Sequence, residues 1–266
     1  MKDDNCVEFL QWALPKLNFR WKGYKKVRKQ VCKRIQRRMN ELQLNNTEEY
    51  KIYLQNNKNE WKILDIFCRI TISRFYRNQK IFEKIGIEIL SYLFKNQDKV
   101  RCWSVGCASG EEPYSVSLIF FNIIHSISPV KEIEIIATDI DSNVLNRAKN
   151  GCYEYTTIKE LPEHWKTKCF NKVSSTYCIK NKYKEVVQFQ QQDIREKKPE
   201  GKFNLILCRN LVATYFEKEL QKKILKEMSQ KLNKHGFLVL GKNENTDTLP
   251  EDLLSCYQHE RIFRTL

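Results

Sequence analysis

The stretch WSVGCASGEEPYSVSLIF, Trp103–Phe120, decides the fold because it joins an apolar strand to an apolar helix through a turn of small residues. Gly106 and Gly110 let the backbone of this turn bend tightly and approach a ligand closely. Two adjacent glutamates and Pro113 follow at once, and proline is favoured in the first turn of a helix. The stretch therefore predicts a strand, a glycine turn and the start of a helix.

The two glutamates after the turn indicate which ligands it suits. Glu111 and Glu112 at a helix N-terminus stabilise the helix dipole, but their charge repels phosphate. A nucleotide phosphate site presents backbone N–H groups and no carboxylate, and the stretch lacks the Gly-Lys-Ser/Thr of a phosphate-binding loop. The turn therefore favours a cationic or polar ligand. One example is a sulfonium compound with an amino-acid tail, because a carboxylate can pair with the ammonium group of that tail.

Strands alternate with helices over residues 91–266. The strand segments are KVRCWSVG, EIEIIATDI, VVQFQQQD, FNLILCRN and GFLVLGK, with RIFRTL as a further candidate. This alternation predicts a mostly parallel α/β sheet of the Rossmann-like kind, in which ligands bind at the carboxyl ends of the strands. Residues 152–185, rich in Lys and Tyr, interrupt the alternation and predict a small inserted subdomain.

The second predicted strand ends in ATDID, which places Asp139 where an acid accepts hydrogen bonds from ribose hydroxyls. Alternatively, Asp139 or Asp141 only caps the helix that follows. A glycine turn without a phosphate motif, together with an acid after the second strand, points to S-adenosylmethionine as the cofactor and S-adenosylhomocysteine as its product.

Residues 1–90 predict a separate, all-helical domain. Apolar residues recur there at helical spacing, namely Val27, Val31, Ile35, Met39 and Leu42. Asn46 or Thr47 is expected to cap the next helix, whose first turn contains two acids.

Much of the formal net charge of +15 comes from one segment, because Lys16–Arg38 holds eleven Lys or Arg residues and no acid. Such a concentration attracts an anionic partner, whether an acidic protein, nucleic acid or membrane headgroups. A solvated helix face is the alternative. The segment offers little beyond Trp21 and Tyr24 for stacking on bases, which favours an acidic protein over RNA.

The cysteine pattern and the apolar runs argue against a disulfide-rich protein, a metal centre and a membrane-spanning protein. The ten cysteines show no Cys-x-x-Cys pair, so we expect reduced, mostly buried thiols and no metal centre. No apolar run is long enough to cross a bilayer and no signal peptide is recognisable, so the cytoplasm is the expected location.

Four blocks of the sequence resemble the chemotaxis-receptor glutamate methyltransferases of the CheR type, in order and in spacing. The blocks are ITISRFYRNQKIFEKI, GCASGEEPYSVS, ATDIDSNVLNRAKNGCYE and FNLILCRNLVATYF. The resemblance extends over nearly the whole chain, including the basic N-terminal helix, residues 25–38, and it implies methyl transfer from S-adenosylmethionine to protein glutamates. An acidic acceptor docking on that helix is the partner it implies.

The resemblance also implies roles for individual residues. Together with the glycine turn, it assigns ten positions to cofactor binding: Thr71, Ser73, Arg77, Gly106, Glu111, Asp139, Asp193, Ile194, Arg209 and Asn210. It places Arg77 and Tyr215 at the reacting groups. Arg77 is expected to orient the attacking carboxylate through paired hydrogen bonds, and Tyr215 to donate to the acceptor or line the methyl path, unless it only packs.

Other acceptors stay open where the chain departs from the family pattern. The family has Gly-His-Ser-Glu after the fifth strand, whereas this chain has GKNENTD, with Lys242 and Asn243 replacing His and Ser. Asp193-Ile194 replaces Asn-Leu, and the insert lacks a glycine-rich turn. RNA or a small molecule is therefore an alternative acceptor, and a non-catalytic cofactor sensor is another reading, against which Arg77 and Tyr215 argue.

Overall fold

The structure is a computed structural model that describes residues 3–266, and the chain divides into two compact units. One unit contains the chain up to Ile70 together with Ala213–Gln221, and the other contains Thr71–Val212 and Lys222–Leu266. This division falls earlier than residue 90, because the helices after Thr71 contribute apolar side chains to the core of the second unit.

The first unit is built from helices. Its helices are α1 (Asp3–Ala13), α2 (Trp21–Tyr24), α3 (Arg28–Glu41), α4 (Thr47–Asn56) and α5 (Lys58–Phe67). Val31, Ile35 and Met39 are buried along one face of α3, as their spacing predicts. The Asn46 side chain caps α4 by accepting the backbone N–H of Glu49 at 2.9 Å.

Ala213–Gln221 packs against the start of the helical unit. The backbone N–H of Arg20 donates to the Tyr215 carbonyl at 2.8 Å, and the Arg20 Nε donates to the Thr214 carbonyl at 2.9 Å. Phe19 forms an antiparallel bridge with Phe216, and their rings stack. A late segment of the chain therefore completes the N-terminal unit, which the sequence pattern does not reveal.

The second unit contains a mainly parallel sheet, as predicted, and the sheet has seven strands, one of which, Leu253–Tyr257, the sequence pattern did not indicate. Its strands are β1 (Lys99–Val105), β2 (Glu132–Asp139), β6 (Val187–Gln191), β7 (Phe203–Cys208), β8 (Leu232–Leu240), β9 (Leu253–Tyr257) and β10 (Ile262–Thr265). The order is β6-β2-β1-β7-β8-β10-β9, and only β9 and β10 run antiparallel to their neighbours. This is the Rossmann-like α/β arrangement, and β1 lies near its centre.

The remaining helices belong to the second unit, apart from those that overlap Ala213–Gln221. They are α6 (Gln79–Lys84), α7 (Ser91–Asn96), α8 (Glu111–Ile119), α9 (Ser142–Asn150), α10 (Tyr155–Ile158), α11 (Glu163–Cys169), α12 (Asn181–Lys184), α13 (Val212–Tyr215) and α14 (Lys218–Gln230). Across residues 3–266, no helix combines the length and apolar character that a membrane crossing needs.

The predicted insert is a small antiparallel sheet with short helices. Its strands β3 (Cys152–Glu154), β4 (Phe170–Val173) and β5 (Thr176–Ile179) pair in the order β3-β5-β4. Tyr153 on β3 points toward the main sheet, and its hydroxyl donates to the Ser109 carbonyl in the glycine turn at 2.7 Å. The insert therefore supports the turn directly.

The expectation that all cysteines are reduced is wrong for four of them. Disulfides join Cys6 to Cys32 and Cys152 to Cys178. In both pairs the partners are 26 residues apart in sequence, so no local motif marks them. Tertiary structure brings them together: Cys152 and Cys178 face each other on β3 and β5, and Cys6 on α1 meets Cys32 on α3.

Candidate active site

The turn between β1 and α8 has the conformation that its glycines permit. Gly106 and Gly110 have φ values of 65° and 90°, in the left-handed region that favours glycine. A Cβ on Gly106 would lie 2.7 Å from the end of the Leu211 side chain, which would have to move, and the positive φ itself disfavours any other residue. The Cys107 N–H donates to the Thr138 carbonyl on β2 at 3.0 Å, which fixes the turn against the end of the neighbouring strand.

Asp139 and Asp141 have different roles at the end of β2. The Asp141 side chain caps α9 by accepting the backbone N–H of Asn143 at 2.8 Å. The Asp139 carboxylate instead accepts the Ala108 N–H of the glycine turn and the Asp141 N–H, each at 3.0 Å. The question that the sequence left open is therefore answered: Asp141 is the cap, and Asp139 faces the turn.

Glu111 carries a buried carboxylate oxygen that no described residue satisfies. It is the first residue of α8 and is only 6% exposed, and its Oε2 has no hydrogen-bond partner within residues 3–266. Burial raises the pKa of Glu111 to about 7, against opposing hydrogen bonds from the backbone and the Ser73 side chain. A ligand ammonium group would supply the missing donor and compensate the charge.

The adjacent Glu112 is fully engaged with protein groups. Its Oε2 lies 3.2 Å from Arg209 Nη1 in a buried ion pair, and its Oε1 accepts the Ser104 hydroxyl at 2.7 Å. Burial raises the pKa of Glu112, and the charge of Arg209 opposes this shift. The two neighbouring glutamates thus differ: Glu112 holds the fold together, and Glu111 is available to a ligand.

Arg77 lies between two residues with unusual backbone geometry. Tyr76 and Asn78 have φ values of 55° and 66°, which cost a non-glycine residue free energy on the order of 1 kcal/mol each. Arg209 Nη2 donates to the Arg77 carbonyl at 2.5 Å and to Asn78 Oδ1 at 3.2 Å, and the Ser115 hydroxyl accepts the Tyr76 N–H at 3.0 Å. These bonds hold the backbone at Arg77 in a defined conformation.

The Arg77 side chain is half-buried and only lightly tethered. Its Nη1 donates to the Ile72 carbonyl at 3.1 Å. Burial raises the pKa of Glu112, and the charge of Arg77, which lies near the Glu112–Arg209 pair, adds a small opposing effect. Thr71 and Ser73, also half-buried, precede it in the same segment.

Two further predicted positions, Asp193 and Ile194, follow β6, where the Gln192 N–H donates to the Asp139 carbonyl at 2.9 Å. Ile194 is buried, and the Asp193 carboxylate pairs with Arg195 at 2.7 Å. Arg195 therefore neutralises the negative charge of Asp193, the residue that this chain has where the family pattern has asparagine.

At the end of β7, Asn210 has a φ of 56°, and its N–H donates to Glu244 Oε2 at 3.0 Å. All ten predicted cofactor positions lie in the second unit. Seven of them lie at or after the carboxyl ends of β1, β2, β6 and β7, namely Gly106, Glu111, Asp139, Asp193, Ile194, Arg209 and Asn210. Of the other three, Ser73 bonds to Glu111 and the Arg77 carbonyl accepts from Arg209. Sequence reasoning did not identify Glu112, Ser104 and Glu244 as residues that hold the site in place. For Glu244 a signal existed, because GKNENTD keeps the glutamate of the family's Gly-His-Ser-Glu although it changes the His and the Ser.

Tyr215 belongs to the helical unit. Its side chain is buried, and its ring lies 5.1 Å from the Tyr24 ring. A packing role for Tyr215 is thus visible in the structure, whereas its approach to an acceptor stays a prediction. No group of three or more His, Cys, Asp or Glu side chains that could hold a metal ion occurs among the residues described.

Comparison with known proteins identifies related chains. The family model described as CheR methyltransferase, SAM binding domain matches residues 71–262. The chain is 31% identical to the chemotaxis protein methyltransferase of Listeria monocytogenes over 70% of this chain and 71% of that protein. It is 29% identical to the protein of the same name from Borreliella burgdorferi, over 75% and 74% of the two chains. Chemotaxis protein methyltransferase 2 of Vibrio cholerae is 28% identical over 88% and 82%.

Proposed function

The chain belongs to the CheR methyltransferase family and uses S-adenosylmethionine, and from this premise we propose that it methylates glutamate side chains of an acidic protein. The observation that best supports the proposed site is the buried, unpartnered Oε2 of Glu111 beside the glycine turn. It fits the amino-acid end of S-adenosylmethionine, because an ammonium group is the donor that this oxygen lacks.

The residues around the turn fit the rest of the cofactor. Gly106 lets the backbone pass close to a ligand, and Asp139 faces the turn from the end of β2, where an acid accepts from ribose hydroxyls. Ile194 offers an apolar surface for the adenine ring, and Asn210 a polar group at the end of β7. When bound, S-adenosylmethionine supplies a methyl group on a positively charged sulfur.

The protein's part in methyl transfer is positioning and control of charge. A glutamate acceptor is already ionised at neutral pH, so the site needs no strong general base. Arg77 can hold the acceptor carboxylate with its planar guanidinium, and Arg209 fixes the Arg77 backbone by donating to its carbonyl. Alignment of the reacting groups is the main contribution that such a site makes to the rate.

We propose that the acidic acceptor docks on the exposed lysines of the helical unit. Ten of the eleven basic residues of Lys16–Arg38 fall into two groups, and the eleventh, Lys16, lies over the Trp12 ring at 4.9 Å. Arg20, Arg28, Arg34 and Arg38 bond to protein groups such as Asp3, Glu60 and backbone carbonyls. The exposed group, which we name the lysine surface, comprises Lys22, Lys25, Lys26, Lys29, Lys33 and Arg37.

The lysine surface keeps most of its charge available to a partner. Of its six members, Arg37 pairs with Glu41 at 3.1 Å, and that pair is exposed and therefore weak. Helix α3 begins at Arg28, so Lys25 precedes it in a turn and is not part of a continuous helix over residues 25–38. A surface of one charge sign steers a partner of opposite charge toward the protein, and a cytoplasmic location is proposed with this partner.

Transfer of label from S-adenosylmethionine tests the proposal. The protein is incubated with methyl-labelled cofactor and a lysate of the source organism, and the labelled products are treated with mild base. Carboxyl methyl esters release labelled methanol under these conditions, whereas methylated nitrogen and RNA do not. Volatile label supports the glutamate acceptor. Label that stays on protein or RNA contradicts it, and protein that binds the cofactor without transferring label supports a sensor.

A further inference from the structure

Glu244 joins the carboxyl ends of two neighbouring parallel strands. It lies in the loop after β8, is 3% exposed, and its Oε2 accepts two backbone N–H groups. One belongs to Gly241, directly after β8, at 2.6 Å, and the other to Asn210, two residues after β7, at 3.0 Å. A single buried oxygen therefore ties the loop that follows one strand to the loop that follows the other.

The groups around this oxygen are closely packed. A Cβ on Gly241 would lie 2.8 Å from Asn210 Oδ1 and 2.9 Å from Glu244 Oε2, so glycine makes room for both side chains. Asn210 has a φ of 56°, a conformation that a non-glycine residue adopts at a cost in free energy. The hydrogen bond from its N–H to Glu244 helps to offset that cost and fixes where the Asn210 side chain starts.

Glu244 and Glu112 contact different groups: the Glu244 carboxylate accepts backbone N–H groups, and the Glu112 carboxylate pairs with the Arg209 guanidinium. Burial lowers the pKa of the adjacent Arg209, and Glu112 opposes this shift more strongly than Glu244 does. Glu112 also contacts the Arg209 guanidinium directly, at 3.2 Å. Glu112 therefore compensates most of the charge of Arg209, and the Glu244 Oε2 holds the two backbone N–H groups.

We propose that Glu244 is a positioning residue for the cofactor: its carboxylate holds Asn210 in the conformation that receives S-adenosylmethionine. This inference rests on the proposed contact between Asn210 and the cofactor. It predicts that the reach of the side chain matters more than its charge. An isosteric amide keeps an oxygen acceptor at the same distance, whereas a carboxylate on a side chain one methylene shorter cannot reach both N–H groups.

The test compares Glu244→Gln with Glu244→Asp by calorimetric titration with S-adenosylhomocysteine. Glu244→Asp should raise its Kd about tenfold, the loss expected for a buried hydrogen bond to a charged group. Glu244→Gln should stay within about threefold of wild type. The exposed Glu251 provides the control, since Glu251→Asp should leave the Kd unchanged. Thermal unfolding of each variant confirms that the titrated protein is folded.

Two outcomes would overturn the inference. One is a Glu244→Asp variant that binds as wild type does; the other is a Glu244→Gln variant that binds as weakly as Glu244→Asp, because charge and not reach would then matter. Steady-state kinetics give a second readout: the KM for S-adenosylmethionine should rise in Glu244→Asp, while kcat at saturating cofactor stays within about threefold of wild type. Wild-type protein that binds the cofactor but methylates no glutamate would contradict the proposed function and leave this inference standing.

Discussion

Arg209 Nη1 lies 3.2 Å from Glu112 Oε2 in a buried ion pair that connects the end of β7 to the first turn of α8. The same guanidinium donates to the Arg77 carbonyl from its Nη2. Arg209 therefore links three elements of the candidate site, and its position fixes the backbone of the residue proposed to orient the acceptor.

Removing one partner of this ion pair should destabilise the second unit strongly. Glu112→Gln leaves the Arg209 charge buried without its counter-ion, which typically costs about 3–5 kcal/mol of unfolding free energy. Chemical denaturation of Glu112→Gln, Arg209→Gln and the double variant measures this cost. The double variant should lose much less than the sum of the single variants, and additivity within about 0.5 kcal/mol would contradict the pairing.

The affinity for the cofactor should depend on pH through Glu111. Burial raises the pKa of Glu111 to about 7 in the cofactor-free protein, and only the ionised carboxylate pairs with an ammonium group. Binding of S-adenosylhomocysteine should therefore tighten about tenfold between one pH unit below and one pH unit above that value. Calorimetry at both pH values measures the change.

Glu111→Gln serves as the control for this pH effect. Its binding should be weaker than wild type at the higher pH, and its Kd should not change with pH across the window. The stability of the cofactor-free protein should change with pH in the opposite direction. The raised pKa of Glu111 means that the folded protein binds this proton more tightly than the unfolded chain does, so Glu111 contributes stability at pH values below its ordinary pKa of 4.5. That stability is lost as pH rises to about 7. A wild-type Kd that does not vary with pH would contradict the role of Glu111.

Arg77→Ala should separate chemistry from binding. If Arg77 orients the acceptor carboxylate, the variant should lose methyl transfer by about a hundredfold or more, while its Kd for S-adenosylhomocysteine changes far less. Arg77→Lys should recover little activity, because lysine lacks the planar guanidinium. Rates of label transfer and calorimetry provide the two measurements.

Arg74 offers a matched control three residues away in the same segment. It is exposed and pairs with Glu160 at 3.3 Å, so Arg74→Ala should leave the methyl-transfer rate close to that of wild type. An Arg77→Ala variant that is as active as Arg74→Ala would assign Arg77 to structure alone.

Reversing the charge of the lysine surface should weaken acceptor docking and leave cofactor binding intact. The variant replaces four exposed residues by Glu, namely Lys25, Lys29, Lys33 and Arg37. Its KM for the acceptor should rise by about tenfold or more, since charges across an interface steer association. Added salt should slow the wild type markedly and the variant little, because salt screens exposed charges.

Four exposed lysines elsewhere on the chain provide the control for net charge. The control variant carries Glu at Lys95, Lys99, Lys223 and Lys226. It should keep the acceptor KM and the salt dependence of the wild type. If both variants behave alike, or if neither differs from wild type, the lysine surface does not dock the acceptor.

Local sequence signals predicted the parts of this structure that depend on neighbours in the chain. The glycine turn, the helix start at Glu111 and the cap at Asn46 all follow from residues within a few positions of one another. The buried face of α3 follows in the same way from the spacing of Val31, Ile35 and Met39. The sequence also showed that either Asp139 or Asp141 caps α9, and only the fold shows that the cap is Asp141.

Contacts between distant residues could not be read from the sequence. Glu112 and Arg209 are 97 residues apart, and Glu244 meets Asn210 across 34 residues. Each pair is adjacent only because parallel strands bring their carboxyl ends to one edge of the sheet. The disulfide partners and the packing of Ala213–Gln221 in the helical unit also join residues that are far apart in sequence, through helix packing and antiparallel pairing.

The most direct test of the central claim is to identify the methylated atom. Wild-type protein and Arg77→Ala are incubated with S-adenosylmethionine and a lysate of the source organism, and the products are digested and sequenced by tandem mass spectrometry. The account predicts methyl esters on glutamate side chains with wild type and almost none with Arg77→Ala. Methyl groups on lysine, arginine or nucleic acid, or equal esterification by both proteins, would contradict it.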